Sequence, residues 1–222
     1  AETLRCLHVS DDHAVIFAGS GATAGINRLV HLFGAGPGTT VLIGPYEHHS
    51  NILPWRESGA RVVDIPEAAT GGPDLDALRA ALAAADGPVI GAFSAASNVT
   101  GTLTDVARVT ALLKNAGARV VWDYAGGAPY LPIDMGLGMD AVVASPHKFI
   151  GGPGASGVLV VRRDAVTATR PTLPGGGRTI LPGRRLVGYC GMPGAPALGE
   201  LGVGNDLQAQ IDKMLKVVKE DR

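Results

Sequence analysis

The sequence predicts an α/β fold: a mostly parallel seven-stranded sheet with helices on both faces. Two observations carry that expectation. Seven short apolar runs, at residues 14–18, 40–43, 61–65, 88–93, 119–122, 140–144 and 157–161, are bounded by turn residues, as buried strands are. Between several of them lie segments with apolar residues at helical spacing, and strand alternating with helix is the pattern of a parallel sheet covered on both sides. At 222 residues the chain has room for one substantial domain of this kind and a small appendage.

Taken in order, the first run leads into Gly19-Ser20-Gly21-Ala22-Thr23-Ala24-Gly25, a Gly-rich turn that opens a helix over 22–33. Unpaired backbone N–H groups and the positive end of the helix dipole make such a turn a seat for phosphate. The same letters fit a loose dinucleotide fingerprint or a structural turn. The second run is followed by Gly44-Pro45-Tyr46-Glu47-His48-His49-Ser50-Asn51, where a histidine can lie flat on an aromatic ring. A metal would need a second cluster of ligands, and the sequence offers none.

The third run precedes a helix over 74–85, capped by Asp74 and stopped by Gly87-Pro88. After the fourth run, Ser97-Asn98-Val99-Thr100-Gly101 turns the chain and offers an amide. A helix over 105–116, stopped by Gly117, leads to the fifth run, which ends in Trp122-Asp123-Tyr124. An acid at the edge of an apolar run is costly without a cationic partner. A protonated ring nitrogen is one such partner; an arginine, or a helix to cap, is the plainer one. Finally, the sixth and seventh runs enclose Lys148 in a Gly-rich turn, at a strand end where α/β enzymes place their chemistry. From its position alone Lys148 is either a Schiff-base lysine or an ordinary solvated one.

Composition narrows the classes. Nineteen basic residues face twenty acidic ones, so a basic footprint for nucleic acid is missing, as is a polybasic run for a membrane surface. The absence of an eighteen-residue apolar window and of a signal-peptide pattern points to the cytoplasm and away from membranes. Cys6 and Cys190 make neither a disulfide framework nor a zinc spacing. Fifteen of the thirty-four residues from 171 to 204 are glycine or proline, and an amphipathic helix over 205–219 follows an Asn205 cap. The expected division is a large domain at 1–165 and a second segment at 166–222.

Ser145-Pro146-His147-Lys148 followed by Gly151-Gly152-Pro153-Gly154 resembles the cofactor-lysine motif of the class V aminotransferases, a pyridoxal-phosphate group that includes the cysteine desulfurases. The string from Glu47 to Trp55 is particularly like the cysteine desulfurase and selenocysteine lyase branch, and the resemblance runs from about Val15 to Arg162. It implies fold type I, pyridoxal 5'-phosphate as cofactor, an amino acid as substrate, and a homodimer with sites near the subunit interface. Position by position, it implies that Gly21, Ala22 and Thr23 bind phosphate together with Ser145 and His147. It further implies that His48 stacks on the ring, Asn98 faces the phenolic oxygen, Asp123 faces the pyridine nitrogen, and Lys148 forms the imine and shuttles a proton. Gly175-Gly176-Gly177 resembles a family loop that lies close to the partner's site.

Three departures from the family pattern stand out. Gly126 occupies the position where desulfurases carry glutamine or histidine, which removes a contact to the phenolic oxygen. Cys190 follows Lys148 too closely to be the family's sulfur-accepting cysteine. The family's carboxylate-binding arginine comes from a C-terminal small domain, of which only the beginning fits after Arg170, and Arg178, Arg184 and Arg185 lie in the Gly/Pro-rich stretch. The chain therefore looks like the cofactor half of such an enzyme, expected to bind cofactor better than it turns over substrate. Two rival readings are a nucleotide-binding α/β module and a catalytically silent truncated paralogue. The first lacks the acid expected about twenty residues beyond its glycines.

Overall fold

Strands with apolar side chains on both faces need cover on both sides, and this fold supplies it. A computed structural model describes residues 9–150 and 152–169. In chain order these form β1 (His13–Gly19), α1 (Gly21–Leu32), β2 (Thr40–Ile43), α2 (Leu53–Glu57), β3 (Arg61–Asp64) and α3 (Leu75–Ala83). β4 (Val89–Ser94), α4 (Val106–Asn115), β5 (Arg119–Asp123), β6 (Ala141–Ala144) and β7 (Gly157–Arg162) follow. The strands make one seven-stranded sheet in the order β1-β7-β6-β5-β4-β2-β3. β7 runs antiparallel to both its neighbours, β1 and β6, and every other pairing is parallel.

Alternate residues of the central strands feed two cores. On one face Val41, Ile43, Val121, Val143 and Leu159 pack with Ile26, Leu29 and Leu32 of α1 and Trp55 of α2. On the other, Leu42, Val120, Trp122, Val142 and Val160 pack with Leu78 of α3 and Val109 and Leu113 of α4. Each fully buried aliphatic side chain is worth about 1.5–3 kcal/mol, so the sheet is held firmly from both sides.

The helix starts differ in a way that matters for function. Asp74 Oδ1 accepts the N–H groups of Asp76 and Ala77 at 2.9 and 3.0 Å, and Asp105 Oδ1 accepts that of Arg108 at 3.0 Å. These two caps satisfy α3 and α4 from within. At α1 the N-cap Ser20 makes no side-chain cap and the first turn contains no acid. Its N–H groups are left to other partners.

At the opposite end of the sheet, buried Asp140 precedes β6. It accepts from Lys114 Nζ at 2.9 and 3.0 Å and from Val120 N–H at 2.8 Å, with Arg162 at 3.5 Å. This is a structural tie.

All seven expected strands and all three expected helices among the described residues form, with ends displaced by one or two residues. α1 begins at Gly21 rather than 22, while β4 and β5 extend one residue further, to Ser94 and Asp123. The short helix α2 lies where the sequence reads as a loop, with Pro54 in its first turn, where a missing N–H costs nothing. The helix expected over 205–219, the Gly175 loop, Arg178, Arg184, Arg185 and both cysteines lie outside the described residues. Among the described residues no helix is long and apolar enough to cross a membrane.

Candidate active site

A cleft of about 260 Å³ opens at the carboxyl ends of β1, β2, β4, β5 and β6. Gly21, Ala22, Thr23, His48, Asn98, Asp123, Ser145, His147 and Lys148 all line it. Five separate loops bring these residues together, because parallel strands end along one edge.

One end of the cleft is the start of α1. Gly21 has φ +64°, and a Cβ there would come within 2.8 Å of His147 Cε1 and 3.1 Å of Ser145 Oγ, so the turn requires glycine. Ser145 is buried, and its Oγ accepts Ala22 N–H at 2.9 Å, tying the β6 loop to the first turn of the helix. On β7, a Cβ on Gly157 would collide with the Gly21 carbonyl. The helix start therefore rests directly on the sheet, and Ser20, Gly21, Ala22 and Thr23 line the cleft.

His48 lines the cleft from the loop after β2. Its Nδ1 accepts Ser50 N–H at 3.2 Å and lies 2.9 Å from Ser50 Oγ, which holds the imidazole in place at the start of a 3-10 turn over His49–Asn51. The neighbouring His49 ring meets it edge-on, with centroids 6.1 Å apart at 79°, and lines an adjoining groove instead. Among the described residues no three histidine, cysteine, aspartate or glutamate side chains gather as a metal site would need.

Asn98 is exposed on a turn braced by Ser97 Oγ, which accepts the N–H groups of Val99 at 3.3 Å and Thr100 at 3.1 Å. Gly126 lies beside it: a Cβ there would sit 3.9 Å from Asn98 Cβ, in ordinary contact. Space for a side chain exists at that position.

Asp123 lines the cleft from the end of β5 and is only 4% exposed. Its Oδ1 accepts Ala125 N–H at 2.7 Å, and among the described residues it forms no contact ion pair. Burial pushes its carboxyl above the usual carboxylate range, opposed by the Ala125 N–H and by positive charge on Lys148 and His48. Lys148 is exposed at the end of a 3-10 turn over Pro146–Lys148, its N–H donating to the Ser145 carbonyl at 2.9 Å.

Ser20, Ser50, Ser94, Ala96 and Ala125 also line the cleft, and the sequence does not single them out. Ser94 could have been found, since it stands one residue past the fourth apolar run, in register with Asp123 on β5. The others carry no signal beyond proximity.

The donor set suits pyridoxal phosphate. A helix start with no acid in its first turn suits an anion, Gly21 lets the Ser145 and His147 side chains approach that turn closely, and buried Asp123, without a contact ion pair among the described residues, suits a cation. An exposed primary amine, that of Lys148, lines the same cleft.

Fold and cleft together define an α/β chain in which a helix start, a buried acid and an exposed lysine share one cleft. The profile of the family described as Aminotransferase class-V matches residues 2–187, and the chain belongs to that family, whose members depend on pyridoxal phosphate. Among curated proteins, the cysteine desulfurase CsdA of Escherichia coli (strain K12) is 33% identical over 180 residues, covering 78% of this chain and 44% of that protein. A probable cysteine desulfurase of Aeropyrum pernix is 38% identical over 145 residues, covering 63% of this chain and 34% of its own length. The chain thus spans less than half of these relatives. The crystal structure of Escherichia coli CsdA superposes with a TM-score of 0.70 at 29% identity, covering 95% of this chain and 56% of that one. A NifS-like protein from Rickettsia africae shares the fold, with a TM-score of 0.69 at 23% identity over 97% of this chain and 63% of its own.

Proposed function

We propose that this chain is the pyridoxal-phosphate-binding part of a class V enzyme that acts on an amino acid, with Lys148 as the residue that holds the cofactor covalently. The observation that carries this reading is the convergence of all nine expected residues on one cleft, from five loops spread over more than a hundred residues of sequence. When bound, the cofactor supplies an aldehyde to an amine and a ring that accepts electrons from the substrate's α-carbon. The α1 start, Ser145 and His147 bind the phosphate. His48 covers one face of the ring, Asn98 meets its phenolic oxygen, and Asp123 keeps its nitrogen protonated. Lys148 Nζ is the attachment atom and afterwards carries the substrate α-proton.

Residues 1–165 form the cofactor domain in this reading and 166–222 a second segment. The working form is a homodimer. Support comes from an apolar groove beside the cleft, where Leu53 is 48% exposed and Val30 and Pro54 share the wall, and from Tyr130 and Ile150, which stand exposed in the loops after β5 and β6. A partner surface is the ordinary cover for such side chains.

The test is reconstitution with pyridoxal phosphate, borohydride reduction and peptide mapping. A visible absorption band that reduction abolishes, with the added mass on Lys148, is the expected result. Mass on Lys114, or no band at all, would refute the assignment.

A further inference from the structure

Glu47 immediately precedes His48 and has none of the roles given above. Although part of the residue is exposed, its carboxylate turns inward, where the loop after β2 meets the end of β4. Oε1 accepts Ser94 N–H at 2.7 Å, and Oε2 accepts Ser94 Oγ–H at 2.7 Å and Asn51 Nδ2–H at 2.6 Å. Asn51 is fully buried, and its Oδ1 accepts Trp55 Nε1–H at 3.1 Å. One carboxylate thus ties the loop carrying His48 to β4 below it and, through Asn51, to α2. Ser94 in turn lines the cleft and pairs with Asp123 in the β4–β5 ladder.

No cation balances this carboxylate among the described residues. Asp123 on β5 is the charged group that acts on it from a neighbouring element, and it repels. Phe93, the β4 residue beside Ser94, is an apolar neighbour, since both its ring and Glu47 Oε1 lie within 3 Å of where a Cβ on Gly44 would be. Three donors converge on an acid in an apolar corner beside a second acid.

We propose that Glu47 is a positioning residue for the cofactor site, acting through Ser94 and the His48 loop. Ionised, it draws the Ser94 hydroxyl proton inward and clamps the loop to β4. Neutral, it donates its own proton from Oε2 to Ser94 Oγ, whose hydroxyl proton then turns into the cleft beside Asp123, and the clamp on Asn51 weakens. One proton is gained from solvent and one hydroxyl reverses. Burial, opposed by the Ser94 and Asn51 hydrogen bonds and reinforced by Asp123, pushes the Glu47 carboxyl up to about 7, so the change falls in the neutral range. The inference rests on the reading of the cleft as a cofactor site, and it adds a residue that touches neither cofactor nor substrate.

The experiment has a cofactor-free arm and a loaded arm. In the 15N-labelled apo protein, the Ser94 amide shift followed from pH 5 to 9 should titrate with a midpoint near 7. Glu47→Gln should abolish that titration. Ser94→Ala should move the midpoint upward, read at the backbone amide of the same position, because a hydrogen bond that favours the ionised form is lost. In the loaded protein, Glu47→Gln should weaken the visible circular dichroism per bound cofactor, flatten its dependence on pH between 6 and 8, and speed cofactor loss by about tenfold, the effect of one charge-assisted hydrogen bond. A Ser94 amide without titration in this range overturns the proposal, as does a Glu47→Gln protein with wild-type dichroism and cofactor loss. If Glu47→Gln fails to fold, the midpoint shift in Ser94→Ala decides. A wild-type protein that takes up no cofactor refutes the reading of the cleft, and the apo titration still decides the hydroxyl switch.

Discussion

Replacing Asp123 with asparagine should leave the empty protein as stable as before, or more so, while weakening the cofactor. Asp123 sits 4% exposed at the end of β5 with one hydrogen bond, from Ala125 N–H at 2.7 Å, and no contact ion pair among the described residues. Its folded carboxyl lies above the usual range because burial outweighs the Ala125 N–H and the charges of Lys148 and His48. The penalty for ionising it is absent below the unfolded value near 3.9, grows as pH rises toward the folded value, and is complete above that. Asparagine keeps the shape and the Ala125 bond but carries no charge, so at pH 7–8 the melting temperature of apo Asp123→Asn should match or exceed wild type. The cofactor loses a charge-assisted hydrogen bond to its ring nitrogen, a loss of about 1.5–3 kcal/mol, or roughly 10- to 150-fold in affinity. Scanning fluorimetry of apo protein and an absorbance titration with pyridoxal phosphate read the two effects separately. An apo melting temperature lowered by more than about 5 °C, which corresponds to roughly 1–2 kcal/mol in a domain of this size, would mean that the acid is structural. Unchanged cofactor affinity would remove it from the ring nitrogen.

Three further substitutions probe the rest of the cleft and its support. Gly21→Ala must hold an alanine at φ +64°, a cost of roughly 1–2 kcal/mol, with its Cβ against His147; equilibrium dialysis should show cofactor affinity down at least about tenfold. Gly126→Gln should fold normally, since Gly126 is not among the positive-φ glycines and a Cβ there meets Asn98 at ordinary contact. By restoring a hydrogen bond to the phenolic oxygen, it should tighten cofactor binding about fivefold in the same titration. Lys114→Met strips the main partner from buried Asp140 but leaves Arg162 at 3.5 Å, so urea unfolding should register a loss of about 1–3 kcal/mol with cofactor affinity unchanged.

The strands were legible because burial on both faces makes them continuous apolar runs, and each candidate residue was legible because it follows a strand end. The same polarity that marks the site obscured its edge. Ser94 and Asp123 belong to the ladder, yet as polar residues they end the apolar signal one position early. Helix α2, five residues long, is too short to show a period; buried Trp55, hydrogen-bonded to Asn51, anchors it. The enclosure of the Glu47 carboxylate could not be read locally, because its decisive partner, Ser94, lies forty-seven residues away.

Strand order and the reversal of β7 are likewise non-local, and the reversal shapes the site. A parallel neighbour for β6 would demand a crossover, usually a helix, before the chain could return. Because β7 is antiparallel, the chain returns to the sheet directly after Lys148, which stays in the cleft instead of being carried away over a face of the sheet. The returning strand then passes Gly157 beneath the Gly21 carbonyl, with Ser156 Oγ accepting Gly19 N–H at 3.0 Å. One reversed strand therefore seats Lys148 and supports the start of α1, so two of the proposed cofactor contacts are built by a single excursion of the chain.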